Sequence, residues 1–427
     1  MIKNSEIKSI TAVQILDSRG NPTLQTKVVL ESGAIGIASV PSGASTGIHE
    51  AYELRDGGES FGGRGVLKAQ ESVNTKIAPA LIGISALDQV RADCIMITLD
   101  ASHNKSNLGA NAILSVSLAI CRAAAAHLGL PLYRYIGGIR ANSIPTPMMN
   151  ILNGGAHAQN NLDIQEFMIV PIGAASFNDG MRMCAEIYSK LKSLLSEKGY
   201  STAVGDEGGF APNVEGEREA LDLICEAVKS AGYLMGADIS LALDVAASEW
   251  YSDSDKLYKL PKSGRAYTAA ELSDMLIKLC DDYPIISVED GVAEDDIDGW
   301  KILTEKAKSK NILLVGDDLF VTNKQRLVMG VENNIANAIL IKPNQIGTVS
   351  EVCETVEYAR SKGYATVMSH RSGDTSDTFI SDFSVALGTE FIKSGAPCRS
   401  ERVEKYNRLL MIENELFSPC YNLPETN

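Results

Sequence analysis

The stretch ILLVGDDLFVTNKQRLVMGVENNIANAILIK at residues 312–342 contains two short apolar runs separated by a longer, mostly polar segment. The first run leads to Asp317 and the second to Lys342. These endpoints lie 25 residues apart, which is the length of one strand plus one crossover helix. The stretch therefore predicts a strand, a helix and a second strand, with a charged residue at the end of each strand.

The same unit repeats along the second half of the chain. Six apolar runs end in charged residues, at Asp244, Glu289, Asp317, Lys342, His370 with Arg371, and Lys393. Successive endpoints are separated by 45, 28, 25, 28 and 23 residues. The segments 268–271 and 348–351 each read Thr-x-x-Glu and resemble capping boxes that begin two of the intervening helices.

Strands that alternate with helices form a parallel sheet with both faces covered, either as a closed barrel or as an open doubly wound sheet. No G-x-G-x-x-G sequence follows an early strand, which argues against the dinucleotide-binding form of the open sheet. We therefore predict an α/β barrel.

The first part of the chain has a different character. Residues 7–16, 23–30 and 34–40 read as short strands separated by turn-forming residues, which predicts a small antiparallel meander. Residues 109–128 are rich in Ala and Leu and contain no Pro, which predicts a helix. The Gly-Gly pair at 137–138 then breaks the pattern. We predict a smaller α+β domain at residues 1–137 and the barrel at residues 138–427.

The composition excludes several classes of protein. The chain has 427 residues, of which 45% are hydrophobic and 22% charged, as expected for a globular protein. Its 39 basic and 54 acidic residues give a net charge of −15, which disfavours direct binding to nucleic acid or to anionic membranes.

The cysteines and the N-terminal residues suggest a cellular location. Eight cysteines are scattered without a C-x-x-C pair, which favours reduced thiols over a disulfide framework. The first residues lack the apolar region of a signal peptide, and no window approaches 18 uncharged apolar residues. We expect a cytoplasmic protein without an export signal or a membrane span.

The strand endpoints predict a shared site, because the carboxyl ends of barrel strands converge on one mouth. Asp244, Glu289 and Asp317 would repel one another there unless a cation neutralised them. Carboxylate oxygens and water are the ligands that Mg²⁺ prefers, so a magnesium site is predicted. The alternative is that each acidic residue only caps the helix that follows it.

The cationic endpoints suggest proton transfer and anion binding. Beside a cation and partly desolvated, Lys342 is expected to have a lowered pKa and to act as a base; the alternative is an ordinary ion pair. His370, Arg371 and Ser372, together with Lys393, offer donors to an anion such as phosphate. For Arg371 the alternative is a salt bridge at the barrel rim, and for Lys393 it is an ordinary surface lysine.

Two earlier segments add acidic residues. Glu207 lies beside two glycines, where backbone can approach a ligand closely. Glu166 follows Gln165 and begins an apolar run, where a buried charge needs a partner. The structural alternative for Glu166 is a buried ion pair. For His157 it is a loop histidine whose ring nitrogens are hydrogen-bonded within the protein. The segment PSGASTG at 41–47 reads as a linker or as a lid that contacts metal or phosphate.

Seven motifs together resemble the enolase family over essentially the whole chain. They are DSRGNPT (17–23), PSGASTG (41–47), LGANAI (108–113), QEFM (165–168), GDEGG (205–209), LIKPNQIG (340–347) and SHRSG (369–373). The resemblance implies a modified, TIM-type barrel of eight strands whose opening strands depart from uniform parallel order, capped by the N-terminal domain. It also implies reversible dehydration of 2-phosphoglycerate to phosphoenolpyruvate through an enediolate held by two Mg²⁺, and a homodimer or larger assembly.

Carried over by position, the resemblance assigns a role to each candidate residue. Asp244, Glu289 and Asp317 would bind the first magnesium, and Ser45 the second. Lys342 would remove the carbon-2 proton, while Glu207, its pKa raised by burial, would assist departure of the carbon-3 hydroxyl. The substrate would be bound by His157, Gln165, Glu166, His370, Arg371, Ser372 and Lys393.

Two other functions remain open at this point. One is a different magnesium-dependent member of the same superfamily, such as a racemase or a lactonising enzyme that acts on an unphosphorylated carboxylate. The other is an additional binding role, either capture of a host protein at a surface or docking onto an RNA-processing complex.

Overall fold

The first strands of the chain form a three-stranded antiparallel sheet. The computed structural model describes residues 4–43 and 47–422. In the sheet, β1 (Ile7–Leu16), β2 (Pro22–Leu30) and β3 (Ile35–Ser39) pair in sequence order. These bounds agree with the predicted meander to within two residues at each end, because Gly20 and Gly33 adopt the positive φ angles that the two turns require.

Helices complete the N-terminal domain. They are α1 (Leu67–Glu71), α2 (Ala78–Leu81), α3 (Gln89–Asp100), α4 (Ala110–Leu128) and α5 (Leu132–Gly137), with a π-helical turn at Ser72–Ile77 between α1 and α2. Helix α4 packs against β2 and β3. The close approach depends on Gly36, where an added Cβ would lie 2.0 Å from the carbonyl oxygen of Ala119.

Helix α4 is also apolar enough to be compared with a membrane segment. Within residues 4–43 and 47–422, it is the one helix whose length and composition would allow it to cross a bilayer. However, 78% of its most apolar window is buried inside the protein. Its apolar residues are therefore accounted for by the core of the N-terminal domain.

The rest of the chain contains the strands β4 (Ser143–Ile144), β5 (Thr146–Asn153), β6 (Glu166–Val170), β7 (Ser240–Asp244), β8 (Tyr251–Ser252), β9 (Leu257–Lys259), β10 (Ala266–Tyr267), β11 (Ile285–Glu289), β12 (Leu313–Gly316), β13 (Ala338–Ile341), β14 (Ala365–Ser369), β15 (Phe391–Lys393) and β16 (Cys420–Tyr421). Eight of them close into a barrel in the order β11-β12-β13-β14-β15-β5-β6-β7. The predicted eight-stranded barrel is confirmed.

Strand β6 is the exception to the parallel order. It runs antiparallel to both of its neighbours, β5 and β7, whereas the other neighbouring pairs in the barrel are parallel. Glu166, the first residue of β6, is in register with Asp244, the last residue of β7. The start of β6 therefore lies at the same end of the barrel as the carboxyl ends of the other strands.

The helices of the barrel are α6 (Phe177–Glu197), α7 (Glu217–Ser230), α8 (Ala269–Asp282), α9 (Ile297–Ala307), α10 (Lys324–Asn333), α11 (Pro343–Ile346), α12 (Val349–Ser361), α13 (Phe379–Leu387) and α14 (Ser400–Glu415). Helix α8 begins with the predicted capping box of Thr268 and Glu271. At the start of α12, the Thr348 side chain accepts a hydrogen bond from the backbone N–H of Glu351. The second bond of a capping box, from the backbone N–H of Thr348 to the Glu351 side chain, is not part of this cap.

Polar contacts join the N-terminal domain to the barrel. The Arg122 guanidinium of α4 donates two hydrogen bonds of 2.7 Å to Asp377. The Lys105 ammonium lies 2.9 Å from a carboxylate oxygen of Glu351 at the start of α12. These contacts hold the N-terminal domain beside the barrel mouth, so that residues following the segment at 41–47 can reach the mouth.

Candidate active site

A cavity at the barrel mouth gathers the predicted residues. Its lining includes His157, Gln165, Glu166, Glu207, Asp244, Asp317, Lys342, His370, Arg371, Ser372 and Lys393. Of the predicted residues that the structure describes, only Glu289 does not line the cavity, and its carboxylate lies against the Lys393 ammonium. The predicted metal ligand Ser45 lies outside the described residues.

The Lys393 ammonium is the centre of a buried charge cluster. Its Nζ lies 2.9 Å from Asp244 Oδ2, 2.9 Å from Glu289 Oε2 and 3.3 Å from Glu166 Oε2. Burial favours the neutral amine, but Asp244 and the two glutamates raise the pKa of Lys393 well above its ordinary value. Lys393 is therefore a fixed cation at the floor of the mouth.

This one ammonium does not fully compensate the acidic residues around it. Burial, followed by repulsion from Asp244, raises the pKa of Glu289 well above its usual range despite the contact with Lys393. Burial and the neighbouring Glu207 likewise raise the pKa of Glu166. The cluster therefore carries an excess of negative charge in a dry environment.

Lys342 is held by Asp317. The ammonium contacts Asp317 Oδ2, and Gln345 donates a 2.8 Å hydrogen bond to the other carboxylate oxygen. Burial acts to lower the pKa of Lys342, but Asp317 reverses this effect and leaves the pKa raised. The expectation of a lowered pKa concerned a lysine beside a cation, and it stays a prediction, because the nearest charge in this arrangement is a carboxylate.

Glu207 is buried among donors. Its Oε2 accepts a 3.1 Å hydrogen bond from Asn150 and lies 3.5 Å from His370 Nε2 and 3.9 Å from His157 Nδ1. Burial acts to raise the pKa of Glu207, but its interactions with His370 and His157 bring it well below its usual value. The expected increase in the pKa of Glu207 is therefore wrong here, since hydrogen-bond donors surround this carboxylate on more than one side.

The side of the mouth that is predicted to bind an anion contains a bidentate ion pair. The Arg371 guanidinium binds Glu50 of the N-terminal domain through bonds of 2.9 Å and 3.1 Å. Both side chains are almost fully buried. Burial opposes the charge on Arg371, but Glu50 raises its pKa, so the guanidinium remains a permanent donor.

The remaining predicted residues lie between these groups. Gln165 donates a 3.2 Å hydrogen bond to Asp244 Oδ2, and His157 Nδ1 lies 3.4 Å from Glu166 Oε1. One ligand atom from each of His157, Glu166 and Glu207 falls within 4.8 Å of the others. The two segments that carry Glu166 and Glu207 thus meet the strand-end residues at one place.

The structure adds acidic residues that sequence reasoning did not identify. Asp290 and Asp318 line the cavity, as does Glu50. Oxygen atoms of Asp290, Asp317 and Asp318 lie within 4.8 Å of one another, and burial together with Asp317 raises the pKa of Asp318 to about 8. The signal was present in the sequence, because Asp290 and Asp318 each directly follow an acidic strand endpoint.

These groups fit a hard divalent cation. The atoms that could bind a metal are oxygens of buried carboxylates, and Mg²⁺ prefers oxygen ligands. The raised pKa values at Glu289, Asp290 and Asp318 show negative charge that the two lysines leave uncompensated. The buried Glu166 Oε2 accepts no hydrogen bond from the residues that the structure describes, although the Lys393 ammonium lies 3.3 Å from it. Asp244, Glu289 and Asp317 do not themselves form a single compact trio, since Lys393 and Lys342 lie among them.

A barrel mouth that combines buried carboxylates, two lysines and a carboxylate surrounded by donors defines an acid–base enzyme that uses a divalent cation. The family model described as "Enolase, N-terminal domain" matches residues 7–136, and the model described as "Enolase, C-terminal TIM barrel domain" matches residues 141–422. The chain belongs to the enolase family, whose members are in general magnesium-dependent.

Proposed function

We propose that the protein interconverts 2-phosphoglycerate and phosphoenolpyruvate, as a phosphopyruvate hydratase with two Mg²⁺ per active site. The observation that carries the proposal is the meeting of Lys342, Glu207, Lys393 and Arg371 at one cavity. This reaction requires a proton acceptor, a proton donor, a cation that binds the carboxylate and a bidentate donor that binds the phosphate.

The two proton-transfer groups enter the mouth from different sectors of the barrel. Lys342 follows β13, whereas Glu207 is held by Asn150 of β5, and β14 and β15 separate these strands in the ring. A substrate between the two groups can therefore lose a proton at carbon 2 to one and receive a proton at its carbon-3 hydroxyl from the other.

The other residues position the charges of the substrate. Arg371, with five donors in a planar fork, suits phosphate, and the neighbouring Ser372 extends that surface. The Lys393 ammonium suits the substrate carboxylate, on which negative charge grows as the carbon-2 proton leaves. When bound, Mg²⁺ would supply the Lewis acidity that makes a doubly charged enediolate tolerable, with Asp244, Glu289 and Asp317 as its proposed ligands.

The pKa directions at Lys342 and Glu207 correspond to the protonation states that hydration needs. A protonated Lys342 can donate a proton to carbon 2 of phosphoenolpyruvate, and an ionised Glu207 can accept a proton from the attacking water. Dehydration requires the opposite states, so the two groups exchange protonation between the directions, as reversibility demands.

The test uses 2-phosphoglycerate with Mg²⁺ and follows phosphoenolpyruvate by absorbance. In deuterated water, Lys342→Ala should abolish exchange of the carbon-2 proton, whereas Lys324→Ala, at an exposed ion pair, should leave exchange unchanged. Unchanged exchange in Lys342→Ala would remove Lys342 from its proposed role. Turnover of an unphosphorylated carboxylic acid, with none of 2-phosphoglycerate, would favour the racemase or lactonising alternative.

The proposed assembly and location remain predictions. A homodimer or larger assembly is to be tested by light scattering. The cytoplasmic location and the binding roles toward a host protein or an RNA-processing complex likewise stay predictions. A pull-down whose partner is retained by Lys342→Ala would show a binding role that is independent of catalysis.

A further inference from the structure

Arg402, in the first turn of α14, is buried completely behind the active site. Its guanidinium contacts the backbone carbonyls of three residues at the mouth. The distances are 2.5 Å to Arg371 O, 2.6 Å to Ser372 O and 3.2 Å to Asp206 O. One side chain thus links the segment predicted to bind phosphate to the segment that carries Glu207.

The same guanidinium contacts the His370 ring. Arg402 Nη1 lies 2.6 Å from His370 Nδ1. Because arginine has donors only, His370 Nδ1 must be the acceptor and carry a lone pair. The proton of the neutral ring therefore lies on Nε2, and that nitrogen faces Glu207 Oε2 at 3.5 Å.

We propose that Arg402 is a positioning residue that keeps His370 neutral, in the tautomer that donates its Nε2 proton to Glu207. This inference rests on the proposed function, since it assigns to His370 the task of orienting the catalytic carboxylate. A doubly protonated ring would place a second proton on Nδ1, directly against the donors of Arg402, and would pair with Glu207 as an ion.

The charges around His370 agree with this assignment. Burial and Arg402 lower the pKa of His370 to about 4, against the opposing effects of Glu207 and Asp374. Without Arg402, both carboxylates would favour the imidazolium form. Arg402 is the cation in contact with the ring, so removing it should raise the pKa of His370, although burial would still oppose the charged ring.

Long-range proton–nitrogen NMR spectra of the full protein, without substrate, test the tautomer directly. The His370 signals are assigned from His370→Gln, and spectra are recorded at pH 6. Wild-type protein should show an unprotonated Nδ1 and a protonated Nε2. A proton on Nδ1 of the wild-type ring would overturn the proposal, whatever the variants do.

A matched pair of variants separates positioning from packing. Arg402→Lys retains a donor for Nδ1 and should keep the wild-type pattern, whereas in Arg402→Met the ring should take up its second proton at a higher pH than in the wild type. If Arg402→Met does not fold, Arg402→Lys remains decisive, because a folded lysine variant with a proton on Nδ1 would overturn the proposal. A folded Arg402→Met variant in which the ring takes up its second proton at the wild-type pH would do the same.

Activity gives the second readout. Arg402→Met should lower kcat about 100-fold, the usual loss for a misplaced catalytic group, with partial recovery in Arg402→Lys. Equal losses in the two variants would contradict positioning through a donor. If the wild-type protein showed the expected tautomer but did not convert 2-phosphoglycerate, the proposed function would fail while the tautomer assignment stood.

Discussion

Replacing Lys393 by methionine removes the one ammonium that contacts three buried carboxylates. Those carboxylates, Asp244, Glu289 and Glu166, lie 2.9 to 3.3 Å from its Nζ, and all are nearly inaccessible to solvent. Removing one partner of a buried ion pair typically costs about 3–5 kcal/mol. Because one cation here serves three carboxylates, we expect a loss near the upper end of that range in EDTA at pH 8.

The loss should depend on pH and on divalent cations. The pKa values of Glu289 and Glu166 are already raised, so stability linked to their protonated forms is present at low pH and lost as the pH rises through those raised values. The deficit of Lys393→Met should therefore shrink between pH 8 and pH 5. Added Mg²⁺ should restore part of the stability by binding the folded form.

Urea unfolding followed by circular dichroism measures the loss. The matched control is Lys278→Met, which breaks a 2.8 Å pair with Asp282 whose lysine is 64% exposed, and it should cost less than about 1 kcal/mol. Equal losses in the two variants, or a Lys393→Met deficit that does not change with pH, would refute the reasoning about an under-compensated buried cluster.

Three further predictions concern the metal site, the titration of His370 and the packing of the N-terminal domain. Asp317→Asn should weaken Mg²⁺ binding more than about tenfold in calorimetric titrations, since a charged oxygen ligand becomes neutral; unchanged binding would exclude Asp317 as a ligand. With its pKa lowered to about 4, His370 should contribute stability that is complete above pH 6.5 and lost as the pH falls toward 4, by roughly 3 kcal/mol. His370→Gln should remove that pH dependence from urea unfolding curves, and an unaltered slope would contradict it. Gly36→Ala should destabilise the protein by about 1–3 kcal/mol, because its Cβ would meet the Ala119 backbone, and a neutral effect in urea would show that β3 and α4 can separate without cost.

Most strand ends of the barrel could be predicted because each apolar run stops at a charged residue. Glu289 and Lys393 are the last residues of β11 and β15, and Asp317 and Lys342 directly follow β12 and β13. Burial on both faces makes such strands continuously apolar, so a charge marks the point where the chain leaves the core.

The direction of β6 could not be predicted from its residues, because an apolar run reads the same in either orientation. Glu166 was therefore identified as a buried charge within a strand, and only the pairing with β5 and β7 places it at the mouth. The raised pKa of Lys342 and the lowered pKa of Glu207 in this arrangement could not be predicted for a related reason. They depend on which side chain is nearest, and that information lies in contacts between residues distant in sequence.

The reversal of β6 also determines what carries Glu207. Since β6 leaves the mouth and β7 returns to it, the chain between them starts and finishes at the far base, and α6 and α7 pack side by side to form an arm that reaches up to the rim. The segment that carries Glu207 joins these two helices and is bonded to β5, because Phe210 forms backbone hydrogen bonds with Ile151 and Asn153, whereas Lys342 directly follows β13. Substitutions that loosen this segment from β5 would displace the acid without disturbing the base, so the two halves of the proposed reaction would be impaired separately.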